Sequence, residues 1–511
     1  MYGRKEASAI SLVLLMILST QIAIIAKWDY ESKELPDDSQ RFDTNNAGVN
    51  LISLGDDSAC AIGTNQKMKC WGDGSFGKTG HGNTEDYGDE ESEMGRYLYF
   101  TDVGEGITFT DIAIGETFSC ALTNDSAIRC WGENDKLGSS AGLSGSGAVG
   151  DGYREMGANI NVVTIGTWNG TSVEAGSNHA CAVVNNGTND SLVCWGGNSV
   201  GQLGLGHTNT IGDDSGDLVG GELPHVDLPD RGPITNIALG NDHTCVLWTD
   251  GQIGCWGDNS QGQLGIGNTN TIGDESNEMG SNLVLVDLPS SRSATAITAG
   301  NDFTCAILDD SSASCWGDGS NGRLGTGSTG DQGDESDEIG DDLNILNLGT
   351  GLGVTSFDAG ESHVCAILTN GVLKCWGYNG FGQLGYGDGY DRGDDDNEMG
   401  NELESIQLGS GRFATSIQAG NAFTCASLDN AQVKCWGTGA DGRTGLELTG
   451  AMGEQVNEMG DNLAYVQLFM PLPTFSIECD TQAEGTIAEK KALDSTSSSV
   501  CLLYTSDAAD D

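Results

Sequence analysis

The chain is 511 residues long and carries 75 acidic against 22 basic side chains, a formal net charge of −53. Clustered Lys and Arg, which nucleic acid demands, are missing, and the same repulsion disfavours an anionic membrane surface. Glycine reaches 78 residues, but with 7 prolines and no Gly-x-y period collagen is excluded, and 37% hydrophobic residues with 10 Trp suffice for a folded core.

At the N-terminus Arg4 and Lys5 precede an apolar run from Ala7 to Ala26. At about 1.5 Å per residue this run would reach about 30 Å, enough to cross a bilayer. Ile24-Ile25-Ala26 is a poor cleavage site, so residues 1–26 read as a signal peptide or as an N-terminal transmembrane anchor. Either reading puts the rest outside the cytoplasm, secreted or anchored. Residues 27–47 are polar and read as a linker.

From residue 48 to 470 the chain repeats. Cys-Trp-Gly occurs seven times, with Trp71, Trp131, Trp195, Trp256, Trp316, Trp376 and Trp436 spaced by 60 to 64 residues. Upstream of each lies a second cysteine: Cys60, Cys120, Cys181, Cys245, Cys305, Cys365 and Cys425. Within one unit, ATAIT, TCAIL and ASCWG (between 294 and 317) read as three strands, and LVLVDL, NILNL, ESIQL and AYVQL supply a fourth. The predicted fold is all-β: a seven-bladed β-propeller with about 60 residues and four short antiparallel strands per blade. The last such segment, 464–468, is expected to close the ring against the strand near Asn50 to Leu54.

The segments GNDHTCVLWTDGQIGCWGDNSQGQLGIG (240–267) and GESHVCAILTNGVLKCWGYNGFGQLGYG (360–387) carry a resemblance to the regulator of chromosome condensation repeat family. It spans roughly residues 50–468; units one, two and seven depart from it with KTG, KLG and RTG in place of GQLG. The resemblance implies a seven-bladed propeller but no single function. Relatives range from a guanine-nucleotide exchange factor for a nuclear GTPase to a secreted bacterial inhibitor of β-lactamase.

Each upstream cysteine faces the cysteine of its own Cys-Trp-Gly (Cys70, Cys130, Cys194, Cys255, Cys315, Cys375 and Cys435) across a hairpin, about 4.5 Å apart between Cα atoms and within disulfide range. Seven disulfides inside blades are expected in an exported chain; reduced core thiols or zinc are the alternatives, and two thiolates per blade suit zinc poorly. Cys479 is left over. The seven Trp read as structural packing between blades. The ring of Ser58, Phe118, His179, His243, Phe303, His363 and Phe423 mixes His with Phe, so shape is expected to matter more than a proton there.

An acidic insert of the form G-[DE]-x-x-x-[DE]-[MIL]-G follows most Cys-Trp-Gly motifs and pairs Asp89/Glu93, Asp151/Glu155, Asp213/Asp217, Asp274/Glu278, Asp334/Glu338, Asp394/Glu398 and Glu454/Glu458. In the structural reading the first carboxylate caps a helical turn that the Gly ends. In the metal reading the carboxylates offer hard oxygen ligands to Ca²⁺, with Asp89, Glu93, Asp274, Glu278, Asp334, Glu338, Asp394 and Glu398 as ligands. No other cofactor is expected.

Residues 471–500 become a Ser-, Thr- and Ala-rich polar tail or the start of a truncated region, and the final CLLYTSDAADD (501–511) resembles a translated sequencing adaptor. No catalytic constellation emerges; His81, His207 and His225 lack a partnered nucleophile. The sequons at Asn124, Asn169, Asn186 and Asn189 are weak motifs in so Asn-rich a chain. The reading is an exported, monomeric binding scaffold without catalysis, whose partner is a protein or cell-surface macromolecule. Exchange-factor-like regulation and a propeller hydrolase are the alternatives. The largest departures from the repeat, 183–194 and 139–157, are the expected recognition loops.

Overall fold

The structure, a computed structural model, describes residues 48–138, 147–152, 154–160, 162–213, 215–219 and 221–469. The readings of 1–26, 27–47, 471–500 and 501–511, and residues 139–146 of the second recognition loop, fall outside these. Among the described residues no helix is long and apolar enough to cross a membrane.

The described residues form seven antiparallel sheets, six of three strands and one of four. The first strands are Val49–Leu54, Phe109–Ile114, Asn169–Ala175, Ile234–Leu239, Ala294–Ala299, Val354–Ala359 and Ala414–Ala419. They stand side by side around a central channel, and the first also neighbours the last, which closes the ring. Each runs through a tight turn into a second strand, such as Phe303–Leu308, and then a third, such as Ala313–Gly317. Second and third strands are buried on both faces, because each sheet is covered by the next blade on either side. Their near-continuous apolar character follows from that double burial.

The fourth segment pairs more thinly than the sequence implied. Its backbone joins the third strand through one recurring hydrogen bond: Thr101 N to Met68 O, Val163 to Ile128, Val226 to Leu192, Val286 to Ile253, Leu346 to Ala313, Ile406 to Leu373 and Val466 to Val433. Among the described residues only blade two has a fourth strand, Ala148–Val149, and it leads into the acidic insert and is not part of this segment. The alternation of LVLVDL serves burial: Leu283, Val286 and Leu288 point inward while Val284 is 50% exposed. Segment 464–468 therefore edges its own blade rather than meeting Asn50 to Leu54. It reaches blade one through Gly95 N to Gln467 O (2.8 Å) and Lys69 Nζ to Leu468 O (3.1 Å). Strand Val49–Leu54 lies at the axis and this segment at the rim, which is why they cannot pair.

Candidate functional site

All seven cysteine pairs are joined as disulfides, with Cα–Cα distances of 4.0–4.1 Å across directly opposed strand positions. The seven Trp are fully buried, and each reaches across a seam. Its Nε1–H donates to a main-chain carbonyl of the preceding blade at 2.8–3.1 Å: Arg443, Lys78, Lys136, Gln202, Gln263, Arg323 and Gln383 in turn. These acceptors occupy the Gln position of GQLG. Because the carbonyl accepts, the departures to Lys and Arg leave the seam intact. Trp71 bonds to Arg443, so the last seam is closed by the same bond as the others.

The His positions are more specific than the sequence suggested. Nε2 of His179, His243 and His363 lies 2.8–2.9 Å from Oγ1 of Thr244, Thr304 and Thr424 in the next blade. Each Thr hydroxyl in turn donates to the Gln carbonyl that the Trp uses, so the imidazole is the donor to Thr. Where the next blade offers Ala180, Val364 or Ala59 instead, the ring position is Phe118, Phe303 or Phe423, and Ser58 precedes Ser119. The residue across the seam sets the choice between His and Phe, and the proton is used. Burial pushes His179 and His363 down to about 3 and His243 to about 4, so all three are neutral donors. His81 and His225 hydrogen-bond to Cys70 O and Ser191 Oγ.

The acidic inserts also belong to the seams. The second carboxylate of each pair does the capping, a correction to the structural reading. Glu93, Glu155, Asp217, Glu278, Glu338, Glu398 and Glu458 each accept from the backbone N–H of the Gly five residues earlier, at 2.8–3.1 Å. The Gly after the insert begins a 3₁₀ turn instead of ending a helix, as at Gly280–Asn282, and its N–H bonds to the outer segment of the preceding blade. The Met or Ile between them, such as Met399, packs beside Trp376 and Gly325. Partial burial, and after it the neighbouring Asp89, Asp151, Asp334 or Asp394, raises Glu93, Glu155, Glu338 and Glu398. Among the described residues no three His, Cys, Asp or Glu side chains gather closely enough to hold one metal ion.

What does not repeat lies at the axis. The channel encloses about 570 Å³ and is lined by Asp56, Glu116, Glu174, Asp358 and Glu361, without a Lys, Arg or His in its wall. At one mouth the turns present Asp56, Glu116, Ser177, Asn241, Asn301, Glu361 and Asn421, each just after a Gly. That Gly is obligatory: at Gly300 a Cβ would stand 2.0 Å from the Phe303 ring. Deeper in, the positions paired with the seven upstream cysteines are Ser53, Ala113, Glu174, Ala238, Thr298, Asp358 and Gln418. Asp358 accepts from Thr298 Oγ1 (3.3 Å) and Ala419 N (2.7 Å), so it ties blades five, six and seven. Glu174 hydrogen-bonds to no described residue, and its side chain is exposed to the channel. Desolvation by the surrounding channel wall, and then Asp111 and Asp358 nearby, hold its carboxyl well above the usual range. Burial, and then Asp57, Glu116 and Glu361, push Asp56 up to about 7; burial alone takes Asp358 to about 7. The sequence reading missed these acids, although comparing units position by position exposes Glu174 as the odd member.

The profile of the family described as "Regulator of chromosome condensation (RCC1) repeat" matches residues 109–136, 171–202, 234–263, 294–323 and 354–383, and a second profile of the same repeat matches 189–247 and 250–307. The ultraviolet-B receptor UVR8 of Arabidopsis thaliana is 26% identical over 281 residues, 54% of this chain and 54% of the receptor. The E3 ubiquitin-protein ligase HERC2 of Homo sapiens is 26% identical over 274 residues, 54% of this chain and 5% of the ligase. The chain thus matches about half of the receptor and a small part of the ligase. Among solved structures, Prp20p of Saccharomyces cerevisiae superposes with a TM-score of 0.54 at 18% identity, covering 73% of this chain and 80% of that one. Human WBSCR16 gives 0.55 at 15% identity, over 73% and 84%. The chain thus carries regulator of chromosome condensation repeats.

Proposed function

We propose that the chain is an exported scaffold that binds a macromolecular partner and performs no chemistry on it. The observation that carries this reading is the division between repeated and unrepeated residues. The recurring Cys, Trp and second insert carboxylates are used in disulfides, seams and caps, which leaves the loops to recognise something else. The hairpin between strands His179–Asn185 and Asp190–Gly196 is the enlarged one, and Asn186, Gly187, Thr188 and Asn189 at its tip are all exposed. Seven disulfides support an oxidising compartment, since reducing cytosol would not maintain them. Prp20p, whose structure is described with its binding to Gsp1p and histones, is a precedent for protein binding by this fold.

A net charge of −53 favours a basic or cation-bridged partner and salt-sensitive association. Replacing 183–194 by a hairpin of ordinary repeat length should preserve the melting temperature and weaken capture of a partner from source extract. Unchanged capture would sink this reading. Ca²⁺ at the inserts remains part of the proposal, because two carboxylates held side by side would welcome a divalent cation. Chelation should then lower the melting temperature, and Mg²⁺ should not restore it.

A further inference from the structure

The sequons at Asn124, Asn169, Asn186 and Asn189 all fall in blades two and three, and the fold brings them to neighbouring places. Asn124 lies in the hairpin turn of blade two, Gly170 N bonds across to Ser126 O, and Asn169 pairs with Asn185 beside the tip of the blade-three hairpin. The four are not equivalent. Asn124 has both amide atoms engaged, with Oδ1 accepting from Thr108 N (3.2 Å) and Nδ2 donating to Gly106 O (3.4 Å). The hydroxyls of two others are tied into their blade: Thr171 Oγ1 donates to Val183 O (3.0 Å), and Ser191 Oγ lies 2.7 Å from His225 Nδ1. Asn186-Gly187-Thr188 differs on each count. All three residues are exposed, Asn186 Nδ2 donates to no described residue, and Thr188 Oγ1 lies 2.9 Å from Asn186 Oδ1, so hydroxyl and amide stand side by side. A Cβ built on Gly187 would meet nothing within 4 Å. The tip also stands further out than its equivalents. Cys181 and Cys194 are 13 residues apart where the Cys245 pair is separated by 10, and their strands have 7 residues each against 6 and 5 in blade four. Among the described residues, every hydrogen bond of 186–189 stays within the hairpin.

We propose, resting on the reading of the chain as exported, that Asn186 is a modification site that carries an N-linked glycan, added once the hairpin has formed. The enlarged hairpin then presents saccharide as well as peptide. N-glycosylation requires an accessible Asn with a Ser or Thr hydroxyl two residues on, in a compartment outside the cytosol. The seven disulfides favour such a compartment. In the transfer, Asn186 Nδ2 attacks the anomeric carbon of a lipid-diphosphate-linked oligosaccharide, held by the transferase of the exporting cell. A nitrogen–carbon bond forms as the carbon–oxygen bond to the diphosphate breaks. The lipid diphosphate leaves with the bonding electrons, the amide gives up one proton, and nothing is oxidised or reduced. A glycan is bulky and needs room around its Asn. The hairpin tip supplies that room and costs no bond of Nδ2, whereas a glycan on Asn124 would displace the bond to Gly106 O. At Asn169 and Asn189 the required hydroxyl is already committed to the folded blade.

The test is glycopeptide mass spectrometry of the full chain recovered from cells that make it, digested without reduction so that disulfides are read in the same spectra. The expected result is a saccharide mass on the peptide holding Asn186 in most copies, with Asn124 and Asn169 bare. Thr188→Ala should lose the saccharide and Thr188→Ser should keep it, a contrast that deamidation or another adduct on Asn186 would not produce. Thr188 is exposed, so both variants should retain the Cys181–Cys194 bridge. Bridged protein with a bare Asn186 would overturn this site and leave the reading of export standing. Free thiols throughout would sink both. Saccharide on Asn124 or Asn169 with Asn186 bare would overturn the choice of acceptor.

Discussion

The seams between blades and the wall of the channel are made from the same repeat, yet they treat their side chains in opposite ways. At a seam, one set of bonds recurs seven times: Trp on carbonyl, Glu or Asp on backbone amide, disulfide across the hairpin. At the axis the backbone recurs while the side chains differ, from Ala113 to Glu174 to Asp358. Recurrence marks what the ring requires, and its absence marks what a ligand or partner can use. The His and Phe positions refine this rule, since they vary but do so in step with the residue across the seam. Variation with a structural correlate belongs to the fold; variation without one, as at Glu174, is left for function.

The sharpest way to break this comparison is to damage one seam. Trp316→Ala removes a fully buried indole and its bond to Gln263 O, and should cost about 3–5 kcal/mol in urea unfolding. A cost below about 1 kcal/mol would mean that blades do not depend on their seams. Next in size, replacing both Cys365 and Cys375 by Ala should cost about 2–4 kcal/mol while leaving the fold by circular dichroism unchanged. Non-reducing peptide mapping that failed to find the seven pairs would refute both the register and the compartment.

At the axis the effect should be a slope with pH. Asp358 titrates at about 7 in the folded chain against an ordinary 3.8, so the folded state holds more protons between those values. Stability from this group therefore falls as pH rises from about 4 to 7. Asp358→Asn should remove that slope, read as melting temperature against pH relative to wild type; an unaltered slope would contradict the enclosure of the channel. A smaller contrast separates the two carboxylates of an insert. Glu398→Ala loses the cap on Gly393 N and should cost about 1 kcal/mol, whereas Asp394→Ala should cost less. The reverse order would restore the helical-cap reading.

Much of this was legible in the sequence. The spacing of Cys-Trp-Gly fixes the number of units, and the paired cysteines fix the register of each hairpin, because only directly opposed positions can be bridged. The roles of the Trp and of the acidic inserts as structural parts could also be argued from their recurrence. Three things were hidden. Which carboxylate caps depends on how the insert turns: the second of each pair, Asp217 as well as Glu398, is brought back over the Gly five residues earlier, and spacing does not encode that direction. The thin fourth segment was overread as a strand, because LVLVDL alternates for burial and makes one rung of a ladder. The channel acids escaped notice because Glu174, within NGTSVEA, looks like any strand residue until ring closure brings seven strands to one axis.

The least disruptive test addresses the seam's own variation. His243 donates to Thr304 Oγ1, whereas Phe303 faces Val364 at the equivalent place one blade on. If the pair across the seam is the unit of choice, His243→Phe alone should destabilise by about 1 kcal/mol, since it leaves the Thr304 hydroxyl facing a ring. Adding Thr304→Val should recover most of that loss; the Gln263 carbonyl keeps its bond from Trp316. The double variant should also differ from wild type in acid. Burial holds His243 down to about 4 in the folded chain against an ordinary 6.5, so the unfolded state binds the extra proton in that window. Wild-type stability from this group is therefore lost as pH falls from about 6.5 to 4, and a chain with Phe and Val has no such proton to gain. Equal losses from the single and double variants, measured as a double-mutant cycle at pH 7 and pH 5, would show that His and Phe are chosen independently of the facing blade.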